Sequence, residues 1–244
     1  MTLWPEGYDR HVFDSVGSTL SEAAKMIPNA QGPAWILALE QTAGRGRRGR
    51  AWAGPRGNFA ATLLMLRAEA PAIAALRSFV ASLALYKAFV AVTGSSRSFA
   101  LKWPNDVLLN GGKVAGILLE SLQDHLMIGV GVNLAYAPKQ ETLDAGALPA
   151  RSLQEDLNVT VAPADFLTVL AAEYATLEDQ FRVHGFAPIR RAWLQHAAKK
   201  GETIIARTLQ DTTTGTFEDI DEAGNLILMT ATGRVPITAA DVFF

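Results

Sequence analysis

An arginine- and glycine-rich segment carries the most evident chemistry in the chain. It reads Gly44-Arg45-Gly46-Arg47-Arg48-Gly49-Arg50, with Gln41 shortly before it and Trp52 shortly after it. Guanidinium groups this close repel one another and glycine adds flexibility, so an anion is expected to order the segment. Arginine forks match the oxygens of phosphate and carboxylate groups. The pattern predicts a site for a polyanionic small molecule, with a nonspecific RNA grip or a solvated basic loop as alternatives.

A second segment places a lysine beside hairpin glycines. Lys102-Trp103-Pro104-Asn105-Asp106 is followed by Gly111-Gly112-Lys113 and by an apolar run that ends at Glu120. The residue before a proline is held extended, so Pro104 is expected to make a corner that orients Asn105 and Asp106. Lys113 begins the apolar run, where its ammonium group is expected to be partly desolvated near a bound substrate. The alternative for Lys113 is an ordinary surface position.

Composition limits the kind of protein that carries these segments. The chain has 244 residues, of which 49% are hydrophobic and 19% charged, and it has no cysteine. A folded protein is predicted, and disulfide frameworks, thiolate metal sites and cysteine nucleophiles are excluded. The net charge of −2 gives no general attraction for nucleic acid, so basic chemistry must be local. The N-terminal residues lack a secretory pattern and the apolar stretch 78–92 contains Lys87, which predicts a cytoplasmic protein without a membrane span.

Apolar periodicity predicts an α+β fold with a mixed, mostly antiparallel sheet flanked by helices. Strands are predicted at 10–13, 34–39, 59–66, 99–103, 107–109, 114–119 and 126–133. Helices are predicted at 18–27 with Ser18 as the cap, at 71–92, and from Pro163 onward. The last helix carries an apolar stripe made of Phe166, Leu170, Tyr174, Leu177 and Phe181. Residues 41–58 are expected to form a long functional loop, and 133–150 a crossing loop.

The character of the sequence changes after Lys199-Lys200-Gly201. Short strand-like runs follow at 203–208, 213–220, 226–229 and 234–237, separated by turn residues. This spacing predicts a small all-β module. The sequence therefore predicts two domains, a larger one over residues 1–198 and a smaller one over residues 199–244.

Together these segments resemble the biotin protein ligases, also called biotin–[acetyl-CoA-carboxylase] ligases. The resemblance rests on Ser18-Thr19, on 41–52, on Lys102-Trp103-Pro104-Asn105-Asp106, on 112–118, and on Gly129-Val130-Gly131-Val132-Asn133-Leu134. It covers nearly the whole chain from Ser18 onward, and the arginine-glycine and Trp-Pro-Asn-Asp motifs together are specific. It implies a catalytic domain like that of class II aminoacyl-tRNA synthetases, with the biotin/lipoate ligase fold, and a C-terminal SH3-like β-barrel.

The resemblance also implies an activity. Such enzymes join the biotin carboxylate to the α-phosphate of ATP, release pyrophosphate, and pass biotin to a lysine of a biotin carboxyl carrier protein. Biotin and ATP would be the small molecules bound, and Mg²⁺ is expected to arrive with ATP, because the sequence shows no metal site of its own. Lys113 and Arg47 would be the catalytic residues, since two anions must be brought together.

Further site residues are carried over from the resemblance. The implied biotin contacts are Ser18, Thr19, Gln41, Gly44, Arg45, Lys113, Gly116, Leu118 and Gly129. The implied contacts to ATP or the adenylate are Arg45, Arg47, Trp52, Asn105, Lys113 and Asn133. The arginine segment is expected to fold over both ligands and to keep water from biotinyl-AMP.

Two departures from the family pattern bear on function. Only 17 residues precede Ser18, too few for the DNA-binding winged helix of some members, so a monofunctional ligase that binds no DNA is expected. Leu20 stands where the family often has asparagine. Both a monomer and a homodimer agree with the sequence. The alternative enzyme of similar fold is a lipoate or octanoate ligase, but those enzymes lack the Gly-Arg-Gly-Arg-Arg-Gly motif.

Overall fold

In the larger part of the chain, groups of consecutive strands are separated by helices. A computed structural model describes residues 2–143, 147–208 and 210–244. The strands before residue 140 are β1 (Asp9–Phe13), β2 (Ala34–Ala38), β3 (Gln41–Arg45), β4 (Ala51–Gly54), β5 (Phe59–Leu66), β6 (Phe99–Lys102), β7 (Asp106–Leu109), β8 (Gly112–Leu122) and β9 (His125–Val132). The helices are α1 (Thr19–Met26), α2 (Pro71–Ala75), α3 (Arg77–Thr93), α4 (Leu153–Leu157), α5 (Pro163–His184) and α6 (Phe186–Leu194).

Seven strands form one mixed sheet in the order β1-β2-β5-β9-β8-β7-β6. β1 and β2 are parallel, whereas every other neighbouring pair in this sheet is antiparallel. All residues of β2 are buried, as a continuous apolar run predicts for a strand that is covered on both faces. The predicted α+β class with a mostly antiparallel mixed sheet is confirmed.

Helices cover the sheet on both faces, and alternation along β5 shows which helix covers which face. Leu63 belongs to a buried cluster with residues of α3 and α5, while Leu64 belongs to a second cluster with Leu20 and Ala23 of α1. Successive side chains of a strand point to opposite faces, so α1 lies across the sheet from α3 and α5. The predicted apolar stripe of α5 is buried along its length.

Two predicted helices differ in the structure. The helix predicted at 71–92 is divided at Leu76 into α2 and α3. The first helix begins at Thr19, and Ser18 occupies the N-cap position without making a side-chain capping hydrogen bond. The predicted N-cap position of Ser18 is confirmed, but its hydroxyl oxygen accepts a hydrogen bond from Nη1 of Arg45 at 3.4 Å and not from a backbone N–H of the helix.

Two further helices, α4 and α6, lie where the sequence analysis predicts none. The Ser152 hydroxyl accepts from the backbone N–H of Glu155 at 3.3 Å and donates to its Oε2 at 2.7 Å. Ser-x-x-Glu is the sequence pattern of a capping box and is a signal for α4, although the Ser152 backbone N–H donates to Asp156 and not to Glu155. The stretch predicted as a crossing loop, 133–150, includes a turn of 3₁₀ helix at Gln140–Thr142, and residues 144–146 lie outside the described residues.

The longest apolar helical segment lies inside the fold. Pro71–Thr93 is long and apolar enough by length and composition to cross a membrane, but 72% of its most apolar stretch is buried. A helix that is hydrophobic on all sides is expected in the core of a globular protein. The segment is therefore weak evidence for a membrane span.

The C-terminal part forms an antiparallel sheet. Its strands are β10 (Thr203–Arg207), β11 (Thr212–Ile220), β12 (Leu226–Thr230), β13 (Gly233–Ile237) and β14 (Asp241–Phe243), in the order β13-β12-β11-β10-β14. This confirms a small C-terminal β-module, to which the structure adds β14. Trp103 Nε1 donates to the carbonyl oxygen of Gly224 at 3.0 Å, and Arg190 pairs with Asp219 at 2.5 Å. These contacts attach the C-terminal sheet to the larger part of the chain, and the predicted boundary between residues 198 and 199 stays a prediction.

Candidate active site

The predicted loop at 41–58 is largely a hairpin. β3 and β4 pair antiparallel, with Gly44 opposite Trp52 and Arg45 opposite Ala51, and Arg47–Gly49 forms the turn between them. The prediction of a long loop is wrong. Protein carboxylates, described below, pair with three of its arginines and offset the repulsion that would keep the isolated segment unfolded.

A cavity of about 760 Å³ opens beside this hairpin. Strands β8 and β9, the hairpin and β14 all contribute to its wall. The cationic side chains that line it are Arg45, Arg47, Arg50, Lys102 and Lys113. Among the described residues that line it, only Asp106 and Asp241 have carboxylate side chains. The cavity therefore concentrates positive charge within a protein of net charge −2.

The structure brings the predicted site residues to this one cavity. Those that line it are Ser18, Thr19, Gln41, Arg45, Arg47, Trp52, Asn105, Lys113, Gly116, Leu118, Gly129 and Asn133. Gly44 is absent from the described lining. A Cβ atom at Gly44 would overlap the Gln41 side chain and the Trp52 carbonyl oxygen, so glycine here permits close approach within the hairpin.

Lys113 is held by the buried carboxylate of Asp106, a residue for which the sequence predicts an orientation but no function. Its Nζ lies 2.6 Å from Oδ1 of Asp106, and Nζ of Lys102 lies 3.8 Å from Oδ2. Burial raises the pKa of Asp106, but the positive charges of Lys113, Lys102 and Arg47 outweigh it and hold that pKa below its usual value. Burial lowers the pKa of Lys102, and Asp106 opposes that shift. Asp106 therefore stays ionised and fixes the ammonium group of Lys113 at the cavity wall.

Arg47 points into the cavity and contacts the residue next to Asp106. Its Nη1 donates to Oδ1 of Asn105 at 3.3 Å, while the Asn105 side-chain amide donates to the carbonyl oxygen of Ile117. Burial lowers the pKa of Arg47, an effect that Asp241 and Asp106 oppose. Because Asn105 and Asp106 are adjacent, the corner after Pro104 positions two cations, Arg47 and Lys113, at one place.

Arg45 is engaged differently from Arg47. Its Nε and Nη2 donate to the two carboxylate oxygens of Glu120 at 3.0 and 2.8 Å, and its Nη1 donates to the Ser21 hydroxyl at 3.1 Å. The bidentate pair with Glu120 attaches the hairpin to β8, and the hydrogen bond to Ser21 attaches it to α1. Glu120 closes the apolar run after Lys113, but nothing in the sequence pairs it with an arginine 75 positions earlier.

A polar chain lies on the α1 side of the cavity. The backbone N–H and the hydroxyl of Thr19 both donate to Oε1 of Gln41, at 2.9 and 3.2 Å. Thr62, fully buried in β5, donates to the Thr19 hydroxyl oxygen at 2.9 Å. Thr62 is a functional candidate that sequence analysis missed, although a single hydroxyl residue in an otherwise apolar strand is a usable signal. These neutral groups can bind a polar, uncharged ring.

The Trp52 ring packs against two glycines of the central sheet. Gly116 and Gly131 are cross-strand partners of β8 and β9. A Cβ at Gly116 would stand 3.2 Å from the Trp52 ring, and one at Gly131 would overlap that ring. Nζ of Lys113 lies 5.5 Å from the ring centroid. The two glycines therefore let the indole approach the strands closely, next to the catalytic candidate Lys113.

Asn58 fixes the loop that follows β9. Its side-chain oxygen accepts from the backbone N–H groups of Ala135 and Tyr136 at 3.0 and 2.9 Å, and its amide donates to the Tyr136 carbonyl oxygen at 2.8 Å. Asn133 and Pro138 of the same loop line the cavity. Asn58 is buried, so its three hydrogen bonds determine how this part of the wall is shaped.

Leu20 belongs to the floor of the cavity. It is buried with the residues of α1, β2 and β5, and its side chain lies 3.1 Å from where a Cβ of Gly129 would stand. An apolar side chain at this position makes the wall near Gly129 hydrophobic. A family asparagine here would offer an amide that this chain does not have.

Comparisons with known proteins agree with this arrangement. The model of the Biotin/lipoate A/B protein ligase family matches residues 12–133, and that of the Biotin protein ligase C terminal domain matches residues 201–244. The biotin–[acetyl-CoA-carboxylase] ligase of Paracoccus denitrificans is 52% identical over 93% of this chain and 97% of its own. The bifunctional ligase/repressor of Bacillus subtilis is 30% identical over 95% of this chain and 73% of its own.

Solved structures show the same fold. A biotin protein ligase from Aquifex aeolicus, in complex with biotin and ATP, superposes with a TM-score of 0.84 at 24% identity, over 96% of this chain and 98% of the other. A biotin protein ligase from Leishmania major, in complex with biotinyl-5-AMP, gives a TM-score of 0.69 at 23% identity, over 96% and 100%. With the matches over both parts of the sequence, the chain belongs to the biotin protein ligase family.

Proposed function

We propose that this ligase activates biotin with ATP to give biotinyl-5′-AMP and transfers the biotin to a lysine of a biotin carboxyl carrier domain. The observation that supports this most directly is the pair of cations, Arg47 and Lys113, that Asn105 and Asp106 hold at one cavity. A carboxylate and a triphosphate repel strongly where water is excluded, so their reaction needs fixed positive charge. The site supplies that charge before either substrate enters.

In the first step an oxygen of the biotin carboxylate attacks the α-phosphorus of ATP, and pyrophosphate leaves. Lys113 is placed to neutralise both the carboxylate and the α-phosphate, while Arg47 binds the phosphates that depart. Asp106 keeps the Lys113 ammonium group in place, and Asn105 does the same for Arg47. Preorganised cations stabilise the charge that accumulates in the transition state without having to reorganise.

The ureido ring of biotin is proposed to bind near Ser18, Thr19 and Gln41. These side chains offer neutral donors and acceptors, and each unmatched buried partner would cost about 1–3 kcal/mol. Gly116, Leu118 and Gly129 would form the apolar slot for the rest of the molecule. Gly44 and Arg45 are proposed to contact biotin mainly through their backbone, since the Arg45 guanidinium group already pairs with Glu120.

Trp52 and Asn133 are proposed to bind the adenylate. They line the same cavity as Lys113 from the hairpin and from the end of β9. No cluster of three or more metal-binding side chains occurs among the described residues. We therefore propose that magnesium enters as MgATP, held by the phosphates.

Gly131→Ala is expected to raise the KM for MgATP by about 10-fold or more, because displacing a packed indole costs on the order of 1–3 kcal/mol. The added Cβ would overlap the Trp52 ring and push it from the sheet. The measurement is steady-state ATP–pyrophosphate exchange. Gly17→Ala is the control, because a Cβ there meets no atom within 4 Å. Equal KM values for Gly131→Ala and Gly17→Ala would contradict the placement of Trp52.

In the second step the amine of the carrier lysine attacks the biotinyl carbonyl carbon, and AMP leaves. The hairpin is proposed to shield the mixed anhydride from water until the carrier domain arrives. Because ATP is a cytoplasmic metabolite and the chain needs no disulfide, we place the reaction in the cytoplasm.

The test is a transfer assay. The purified protein is incubated with MgATP, biotin and a carrier domain, and the carrier is examined by mass spectrometry. One biotinyl group on the carrier lysine is the expected result. ATP–pyrophosphate exchange that depends on biotin and not on lipoate distinguishes a biotin ligase from a lipoate ligase, and exchange with lipoate alone would overturn the proposal.

A further inference from the structure

The proposed reaction gives no role to Asp241, although this carboxylate reaches the cavity. Asp241 begins β14 in the C-terminal sheet. Its Oδ2 accepts from Nη1 of Arg48 at 2.6 Å, and its Oδ1 accepts from Nη2 of Arg50 at 3.2 Å. One carboxylate from the C-terminal module thus pairs with two arginines that lie more than 190 positions earlier in the chain.

Both arginines follow Arg47 closely, in and just after the turn of the hairpin. Arg48 adopts a left-handed conformation with φ of 57°, and the backbone N–H of Gly46 donates to the Arg50 carbonyl oxygen at 2.7 Å. The turn therefore places Arg47 on one side, toward Asn105, while Asp241 engages Arg48 and Arg50. Fixing the neighbours of Arg47 limits the directions in which its guanidinium group can point.

The strand pairing of the hairpin stops short of its tip. Its two strands share three register pairs, and the pair nearest the turn is Arg45 with Ala51. The ion pair of Arg45 with Glu120 holds the base of the turn, and Asp241 supplies a carboxylate that pairs with Arg48 and Arg50 at the tip. Without it, the guanidinium groups of Arg47, Arg48 and Arg50 would repel one another with less compensation.

We propose that Asp241 is a positioning residue by which the C-terminal module fastens the tip of the hairpin over the cavity and directs Arg47 toward the phosphates. The role in phosphate binding rests on the proposed function, whereas the fastening of the hairpin does not. Asp241 touches neither reacting group in this scheme and acts through Arg48 and Arg50.

The fastening is tested first in the protein without ligands. Limited trypsin digestion cuts after exposed arginines, and mass spectrometry identifies the cuts. Asp241→Asn is expected to increase cleavage after Arg48 and Arg50 by about 3- to 10-fold, the effect expected from losing two partly exposed ion pairs. Glu218→Gln is the matched control, since it breaks the ion pair with Arg234 at 2.9 Å in the same sheet. Cleavage of Asp241→Asn at the rate of wild type would overturn the proposal.

The positioning role is tested by kinetics. Asp241→Asn is expected to raise the KM for MgATP by about 3- to 10-fold while the KM for biotin stays unchanged. Asp241→Glu keeps the carboxylate and is expected to restore most of the wild-type value. A general loss of structure would change both KM values and would not respond to glutamate. Equal rises in both KM values, or no rescue by Asp241→Glu, would contradict the role of Asp241.

The two tests separate this inference from the proposed function. If the protein transferred no biotin, Asp241→Asn would still be cut faster at the hairpin. If Asp241 had no fastening role, the wild type would transfer biotin and the variant would resist trypsin as wild type does. Matching urea midpoints for the wild type and Asp241→Asn exclude global unfolding as the cause of cleavage.

Discussion

Lys113→Ala is expected to lower the rate of biotin-dependent ATP–pyrophosphate exchange by about 100- to 1,000-fold, the loss typical of removing one preorganised charge-stabilising group. In the proposed reaction Nζ of Lys113 stands between two anions, and Asp106 fixes it there at 2.6 Å. The variant should keep its fold, because Lys113 lies at the cavity wall and is one third exposed. Exchange is measured with saturating biotin and MgATP, so that weaker substrate binding does not set the rate.

Two other variants serve as comparisons for Lys113→Ala in this experiment. Lys199→Ala removes a lysine that pairs with Glu202 at 2.8 Å outside the cavity lining, and it should leave exchange unchanged. Asp106→Asn keeps the ammonium group of Lys113 but removes the carboxylate that holds it in place, so a smaller loss is expected. Exchange by Lys113→Ala within a few-fold of wild type would show that the charge between carboxylate and phosphate comes from another residue.

The central sheet could be predicted because its signal is local. β5 lies at Phe59–Leu66, where it was predicted, and β9 lies at His125–Val132, one residue from the prediction at each end. Continuous apolar runs of this length suit strands that are buried on both faces. The hairpin of β7 and β8 follows from Asn110 and Gly111, which both adopt positive φ.

The arginine hairpin could not be predicted because its partners are distant in sequence. The segment has little apolar alternation, and its arginines alone favour disorder. Glu120 and Asp241 supply the carboxylates that order it, from another strand and from the C-terminal sheet. The sequence predicts that a bound anionic ligand orders the segment. The structure shows that carboxylates of the protein supply part of the negative charge.

The candidate site also combines residues that a local motif predicts with residues whose partners are distant in sequence. Residues in compact motifs, such as Arg47 and Lys113, could be named from the sequence, and they line the cavity. Asn105 and Asp106, which orient them, also lie in a motif, but the sequence does not show that they pair with Arg47 and Lys113. Other residues that shape the cavity belong to no motif. Asn58 and Thr62 act through hydrogen bonds to residues 78 and 43 positions away, and such pairs become visible only when the strands are assembled.

Glu178→Gln is expected to lower the free energy of unfolding by about 3 kcal/mol, the loss typical of breaking a buried ion pair. Nη2 of Arg77, at the start of α3, donates to Oε1 of Glu178 on α5 at 2.7 Å, and the two side chains are only 5% and 3% exposed. Tyr174 donates to the same carboxylate, and burial raises the pKa of its phenol well above the usual value, with Glu178 adding to the shift. The variant leaves Arg77 buried with Glu69 as its remaining carboxylate partner.

Urea denaturation followed by circular dichroism measures this loss. Glu202→Gln is the control, because it breaks an exposed ion pair with Lys199 and should cost less than about 1 kcal/mol. The double variant Arg77→Met/Glu178→Met removes both charges and should be more stable than Glu178→Gln, since the buried guanidinium group is removed together with its main partner. Neither residue lines the cavity, so folded Glu178→Gln should transfer biotin at the wild-type rate. Equal unfolding free energies for Glu178→Gln and Glu202→Gln would show that the helix pair does not depend on this ion pair.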